Sequence, residues 1–536
     1  LCETGPVTSQ RIPNLILGTG PAAIAAAFAL RRHGAPFEVL DVGYDLEPER
    51  QAMVQALSGV GPDEWPGPDT RTLFPPPVAS ARGGVGKRLS FGSDFPYKRP
   101  PCLSCATTEC TIDLSHGLGG FGNVWGAAML PYSDHDLRDW PLSSAELADS
   151  YRNLSGFVPI SADVDPLEGP FPLYHDKSTN LSKSEQTRSL LRFLDARAAG
   201  LQRRGVAYGR ARVAVDSSGG ISTCRYCGKC LDGCPYGSIF NPRLHFKQLE
   251  LDGITIHKGW YALEFQEGPA EVAVTAVNVH DGSLRTFHAG RLFVGMGTIS
   301  STRFLARSLK LVDIPIPIQD SQYFFFPVLA YRKATDITVR FSLADIFVDI
   351  LNRVVSPHYV HLQIYGLNEI FRQTLQSMLP VHLRRPWLLN TIESRFYLFQ
   401  GFLHSSESGH LELTVTSSHA DRDEIHVRGV TNPASLHTAK RTKALVRSLL
   451  AGFGVVPPLQ LTIVAPGRSF HAGGSFPMGK KNTVYASDLL GRPAGLHRTH
   501  VVDASIFPSI PATTIAYTAM ANSDRVVNET YRNGYL

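Results

Sequence analysis

Four cysteines, Cys224, Cys227, Cys230 and Cys234, fall within eleven residues of a 536-residue chain, in the run CRYCGKCLDGCP. C-x2-C-x2-C-x3-C-P is the ligand spacing of bacterial ferredoxin clusters, where local turns gather three close thiolates onto one iron–sulfur face. Four thiols this close exceed what packing needs, so one [4Fe–4S] cluster is expected here. A disulfide, free thiols and zinc stay open as alternatives. A second group, Cys102, Cys105 and Cys110, stands in CLSCATTEC. Three thiols with a fourth ligand, of which His116 is a candidate, suit zinc or a second cluster, and a disulfide suits them equally. Only Cys2 of the eight cysteines stands apart from these groups, a clustering that argues for metal or local redox chemistry over a secreted disulfide framework.

A different chemistry opens the chain, in NLILGTGPAAIAAAFALRRHGAPFEVLDVG. Gly18, Gly20 and Ala23 give G-x-G-x-x-A, with Pro21 inside it, between an apolar strand Leu15 to Leu17 and an Ala-rich helix. The glycines permit a tight turn and let the backbone approach a pyrophosphate, which then rests on the helix N-terminus. A second strand, Phe37 to Leu40, ends at Asp41, 23 residues after Gly18, where a carboxylate can accept from a ribose 2'-OH. Strand, glycine turn, helix, strand and acid in this order predict a dinucleotide-binding α/β domain.

The elements that must hold these residues follow from pattern. Residues 254–295 alternate as strands and 185–205 have helical period, while 311–460 hold aromatic strands such as YFFFPVLAY and SRFYLFQGFLH with a helix around ALVRSLLAGF. Residues 45–112, rich in Pro and Gly, read as an irregular excursion over the nucleotide domain. The expected architecture is a discontinuous nucleotide domain of residues 11–310 and 461–536, with a Cys-rich insert at 220–242. Residues 311–460 form a second, α+β substrate domain on a mostly antiparallel sheet.

Composition narrows the partners. With 43% hydrophobic and 18% charged residues the chain is globular, and a net charge of +5 without a Lys/Arg block argues against nucleic acid. No apolar run is long enough for a membrane span. The first residues lack a charged-then-apolar signal pattern, so the cytoplasm is the default location. Export alongside a signal-bearing partner subunit is compatible with the sequence.

Four further segments follow the N-terminal motif in order: Gly117 to Tyr151 (GLGGFGNVWGAAMLPYSDHDLRDWPLSSAELADSY), Arg291 to Ser308 (RLFVGMGTISSTRFLARS), Ser469 to Gly479 (SFHAGGSFPMG) and Val501 to Val527 (VVDASIFPSIPATTIAYTAMANSDRVV). Together they resemble the glucose–methanol–choline (GMC) family of FAD oxidoreductases. The resemblance implies a Rossmann-type FAD-binding domain. It places Gly119, Gly120 and Asn123 in the loop against the flavin and Gly297 near the dinucleotide. Ala262 falls in the strand that offers backbone to adenine, and Asp503, Ala504 and Pro511 in the last cofactor-binding segment. It makes His471 the base that takes a hydroxyl proton as hydride leaves the carbon, a task suited to an imidazole titrating near neutrality. Where the family has a second catalytic His or Asn before a proline, this chain has Ile510, which neither donates nor accepts; Ser509, Thr513 and Thr514 are the neighbouring candidates. The cysteine run resembles that of iron–sulfur-bearing sugar dehydrogenases, which implies an alcohol, sugar or polyol substrate. It also implies electron transfer from FAD through the cluster to a cytochrome, a quinone or a small electron carrier. A cluster-free oxidase and a non-catalytic flavoprotein assembly partner are the other readings.

Overall fold

The computed structural model describes residues 11–75, 87–175, 178–369, 371–372, 384–418, 421–457, 460–479 and 485–535. Among these residues the strands fall into three sheets. In the first, Ile12–Leu17 lies between Glu38–Leu40 and Leu284–Val294, parallel to both. Ile256–His257 extends the sheet beyond Glu38–Leu40, and Thr499–Val501 joins Leu284–Val294 in parallel. Val272–Asn278 and Trp260–Glu267 continue it antiparallel. Ile12–Leu17 is apolar on both faces because both are covered, the mark of a central parallel strand. The helix Pro21–Arg32 starts on Pro21, and its alanines allow close packing; the Ser523 hydroxyl of the last helix, Ile515–Arg532, donates to the Ala22 carbonyl at 2.7 Å.

The second sheet runs Gly454–Val455, Tyr323–Ala330, Phe396–Phe402, Val360–Tyr365, Ile346–Ile350 and Val206–Arg210, with Thr462–Ile463 beside Tyr323–Ala330. Its strands alternate with period two. Phe324, Phe326, Leu362, Ile364 and Phe399 pack against Leu190, Leu194, Ala439 and Val446 of the helices Glu185–Asp195 and Pro433–Leu449. The opposite face sets Phe402 across from Tyr323 and His361, and Gln363 across from Gln400. The third sheet joins Ala472–Gly473, Ile316–Asp320, His410–Ser418, Asp423–Val430 and Leu103–Thr108, and so fixes the segment after His471.

Three differences from the sequence reading have local causes. The described residues of the span 45–112 are not wholly irregular: they include the helices Pro48–Ser58 and Gly67–Leu73, each with a proline in its first turn, where a missing N–H costs nothing. Val206–Arg210, from the nucleotide half of the sequence, pairs with Ile346–Ile350 in the second sheet. Cys105 lies within the edge strand Leu103–Thr108, with Cys102 just before it. Extended chain rises about 3.3 Å per residue, so Cys102 and Cys105 do not converge. Among the described residues no helix is long and apolar enough to cross a membrane.

Candidate active site

A continuous cavity runs from the glycine turn to the second sheet, lined by Gly18, Gly20, Pro21, Asp41, Gly120, Ala262, Gly297, Asp503, Ala504 and His471. Gly18 has φ +93°, and a Cβ there would sit 2.6 Å from the Gly295 carbonyl oxygen, so only glycine fits. The helix Pro21–Arg32 has no side-chain cap, which leaves its first amides for an anion. Thr19 links the two motif loops: its hydroxyl accepts from the Gly119 N–H at 2.9 Å and donates to Asp41. Burial pushes the Asp41 carboxyl up to about 7, so a bound hydroxyl that shared it would relieve a desolvated group. Asp503 accepts from the Gly297 N–H at 2.9 Å, the Ser301 hydroxyl at 2.5 Å and the Ser505 N–H at 3.0 Å, holding the helix start at Thr298 against the last segment.

Ala23, Gly119, Asn123 and Pro511 stand behind this lining. Asn123 donates to the carbonyls of Leu118 and Gly120 at 2.9 and 2.8 Å and accepts from Asn241 at 3.1 Å, which makes it the brace of the loop. A Cβ on Gly119 would meet the Arg243 backbone nitrogen at 2.6 Å. The cradle therefore fits an FAD-sized dinucleotide. Asp41→Ala should weaken FAD binding by roughly 10- to 100-fold, the value of one hydrogen bond to a charged group. Titration of the deflavinated protein with FAD measures it, and an unchanged affinity would remove Asp41 from the cradle.

His471 opens onto the same cavity. Its ring stacks on Phe402 at 4.9 Å, and Nδ1 is buried without a partner. Its backbone is pinned on both sides: the N–H donates to the Ser469 hydroxyl at 3.0 Å and the carbonyl accepts from the Ser321 N–H at 3.0 Å. Ser469 in turn donates to buried Asp320, which also accepts from the Gly467 N–H. Desolvation, aided by nearby His361, pulls the His471 imidazole down to about 4, so it is a neutral proton acceptor across the physiological range. His361 itself is enclosed, with Nδ1 2.9 Å from Asp349.

Ile510 is fully buried, and the ideal Cβ of a residue at Gly473 would come within 2.5 Å of its Cδ1. Its hydroxyl-bearing neighbours already have partners. Ser509 accepts from the Trp140 indole N–H at 2.8 Å, Thr513 donates to Asp136 at 3.4 Å, and Thr514, which does line the cavity, is bound to the Leu130 backbone. Around His471 the wall is completed by residues the motifs did not single out: Lys87, Arg88, Tyr97, Tyr323, Gln363, Tyr365, Gln400, Phe402 and Arg468. One signal for them was present, since Arg468 precedes His471 by three residues and the strand alternation places Tyr323, Gln363 and Gln400 on one face.

The described cysteines are all free, and among the described residues no three His, Cys, Asp or Glu side chains stand together as a metal-holding group. Neither the metal site nor the disulfide that Cys102, Cys105 and Cys110 suit by sequence is formed among the described residues, and His116 lines the dinucleotide cavity. At Cys224–Cys234 the sulfurs are likewise not placed as a metal group. The backbone N–H groups of Tyr226, Lys229 and Ser342 favour the thiolates of Cys224, Cys227 and Cys230 in turn, but less than burial disfavours them. Left-handed turns at Tyr226, Gly228 and Gly233 fold the chain back after successive cysteines. Burial and the other thiols push Cys224, Cys227 and Cys230 up to about 12. The segment then leads directly to Phe240, whose carbonyl accepts from Trp125 in the flavin-side loop at 3.0 Å.

Residues 409–523 match the family model described as GMC oxidoreductase. No curated protein matches the sequence. Among solved structures, pyridoxine 4-oxidase from Mesorbium loti is similar at 14% identity and a TM-score of 0.59, over 97% of this chain and 99% of that one, a likeness of fold. The matched segment contains His471 and Asp503.

Proposed function

We propose that the protein is an FAD-dependent dehydrogenase that oxidises an alcohol carbon of a sugar, polyol or glycoside, with His471 as the base. The observation that carries this is the meeting, in one cavity, of the glycine-turn cradle with a neutral, backbone-pinned imidazole. The bound flavin supplies the acceptor for a hydride, two electrons with one proton. The chain supplies the rest: His471 accepts the hydroxyl proton, Phe402 holds its ring, and the walls exclude water. Bleaching of the flavin absorbance by candidate alcohols without oxygen tests the reading. A panel of sugars, polyols and glycosides that leaves the flavin oxidised would favour a non-catalytic flavoprotein.

The finer part of the proposal is a [4Fe–4S] cluster at Cys224, Cys227, Cys230 and Cys234 that hands electrons singly to a cytochrome, a quinone or a small carrier. The ligand spacing, and the left-handed turns at Tyr226, Gly228 and Gly233 that fold the chain back after successive cysteines, support it. Protein purified without oxygen should contain about four iron and four acid-labile sulfide per chain. Cys230→Ser should lose the iron and keep flavin bleaching by substrate. Iron-free wild-type protein that reduces oxygen at full rate would instead make this a cluster-free oxidase.

A further inference from the structure

Beside the cavity's catalytic wall stand three cations, Lys87, Arg88 and Arg468. They are grouped by contact. Lys87 Nζ lies 3.9 Å over the Tyr97 ring, and Tyr97 packs on Phe121, which packs on Phe470 next to His471. Arg468 and Arg88 both act on the buried Tyr323 hydroxyl, and Arg88 also on that of Tyr365. Tyr323 in turn packs on Phe402, the residue that stacks on His471. Arg88 and Arg468 thus lie beside the face of the second sheet that looks at His471, with Lys87 reaching it through Tyr97 and Phe121.

Charge there is not balanced. Of the carboxylates lining the cavity, Asp41 and Asp503 belong to the cradle. That leaves Asp113, which Lys87 approaches at 3.0 Å and Arg468 at 3.5 Å. Arg88 forms no ion pair among the described residues; Asp232, beyond the cavity wall, acts on it from a distance and is shared with Lys229. The fourth lining cation, Arg303, is already paired with buried Asp423 at 2.9 Å. Among the described lining residues outside the cradle, one carboxylate faces Lys87, Arg88 and Arg468 in a cleft walled by Tyr323, Tyr365 and Gln363, which focuses a positive field where a substrate must lie. Guanidinium groups are the side chains best shaped to take an oxyanion through two parallel hydrogen bonds.

Building on the oxidoreductase reading, we propose that the substrate is an anionic polyol, a sugar acid or a sugar phosphate, whose oxyanion is held by Arg88 and Arg468 while its alcohol carbon faces His471. The two tyrosine hydroxyls and the amides of Gln363 and Gln400 meet the remaining hydroxyl groups. Lys87, half exposed, draws the anion in at the mouth.

Binding to the FAD-loaded enzyme tests this without turnover. Gluconate, inorganic phosphate and the neutral polyol sorbitol are titrated while the flavin absorption spectrum and the melting temperature are followed. Gluconate or phosphate should bind at least about tenfold more tightly than sorbitol, and the tighter of the two tells a carboxylate from a phosphate. Arg88→Gln and Arg468→Gln should each weaken anion binding about tenfold or more and leave sorbitol unchanged, whereas the exposed Arg285→Gln should change neither. Arg88→Gln alters a loop side chain and serves as the reference should Arg468→Gln lose stability. Equal binding of sorbitol and both anions, or anion affinity indifferent to Arg88→Gln, overturns the proposal. FAD content and bleaching by any alcohol, measured separately, report on the oxidoreductase reading, so the two can fail independently.

Discussion

Replacing His471 by alanine should slow the anaerobic reduction of the flavin by about 10²–10⁴-fold, the range of a lost general base, while FAD content stays at the wild-type level. The size follows from what surrounds the ring. Ile510 is apolar, and Ser509, Thr513 and Thr514 are committed to Trp140, Asp136 and Leu130. Among these described residues no group stands in for His471 as the proton acceptor, so the loss should sit near the upper part of that range. The pH dependence gives a second readout. Because desolvation holds the folded imidazole near 4, the base is present above that value and is lost only as the pH falls through it. The acid limb of the reduction rate should therefore lie near pH 4 to 5, not at the 6.5 of a solvated histidine. Reduction of His471→Ala at the wild-type rate, or an acid limb at 6.5 in the wild type, would count against His471 as the base. His471→Gln keeps much of the volume against Phe402 and separates packing from proton transfer: it should be as slow as the alanine variant.

How much of this was legible beforehand depended on range. The cradle was readable because Gly18, Gly20 and Asp41 answer to local needs: a left-handed φ, a close backbone approach, and an acid at the end of the next strand. His471 was readable because its motif is contiguous. The substrate wall was not, since Tyr323, Gln363, Gln400 and Arg88 come from four distant segments and only strand register brings them together. The helices at Pro48–Ser58 and Gly67–Leu73 were hidden by the very prolines that start them, which read as breakers when taken as composition. Cys102, Cys105 and Cys110 looked like ligands by spacing alone. Spacing says nothing of conformation, and an extended edge strand separates residues that a turn would have joined.

The other large effect should come from a residue with no catalytic role. Asp423 is fully buried and begins the strand Asp423–Val430 of the third sheet. It accepts from Arg303 at 2.9 Å and Arg307 at 2.6 Å, both on the helix Thr298–Ser308, and from the Tyr261 hydroxyl at 3.2 Å on the nucleotide sheet. One carboxylate thus joins two sheets and the helix between them. Buried ion pairs add little net stability when formed, but removing one partner strands the other charge, at about 3–5 kcal/mol. In Asp423→Ala the Arg303 guanidinium, 2% exposed, would keep the Leu263 carbonyl and its place over the Tyr261 ring but no carboxylate among the described residues, and Arg307 would keep the Arg422 carbonyl at 3.0 Å and Glu264 at 3.4 Å. The melting temperature should drop by roughly 3–5 °C. The exposed pair Arg152–Asp149 supplies the contrast, since Asp149→Ala should cost less than about 1 kcal/mol. Tyr261 and Arg303 also line the cavity beside Ala262, so FAD retention should weaken along with the fold. Repeating the melt at saturating FAD separates the two, because ligand linkage raises a folded protein by mass action and cannot restore a missing countercharge. A melting temperature for Asp423→Ala within a degree of the Asp149→Ala value would mean that Arg303 finds another partner, and that the junction between the sheets is held by apolar packing alone.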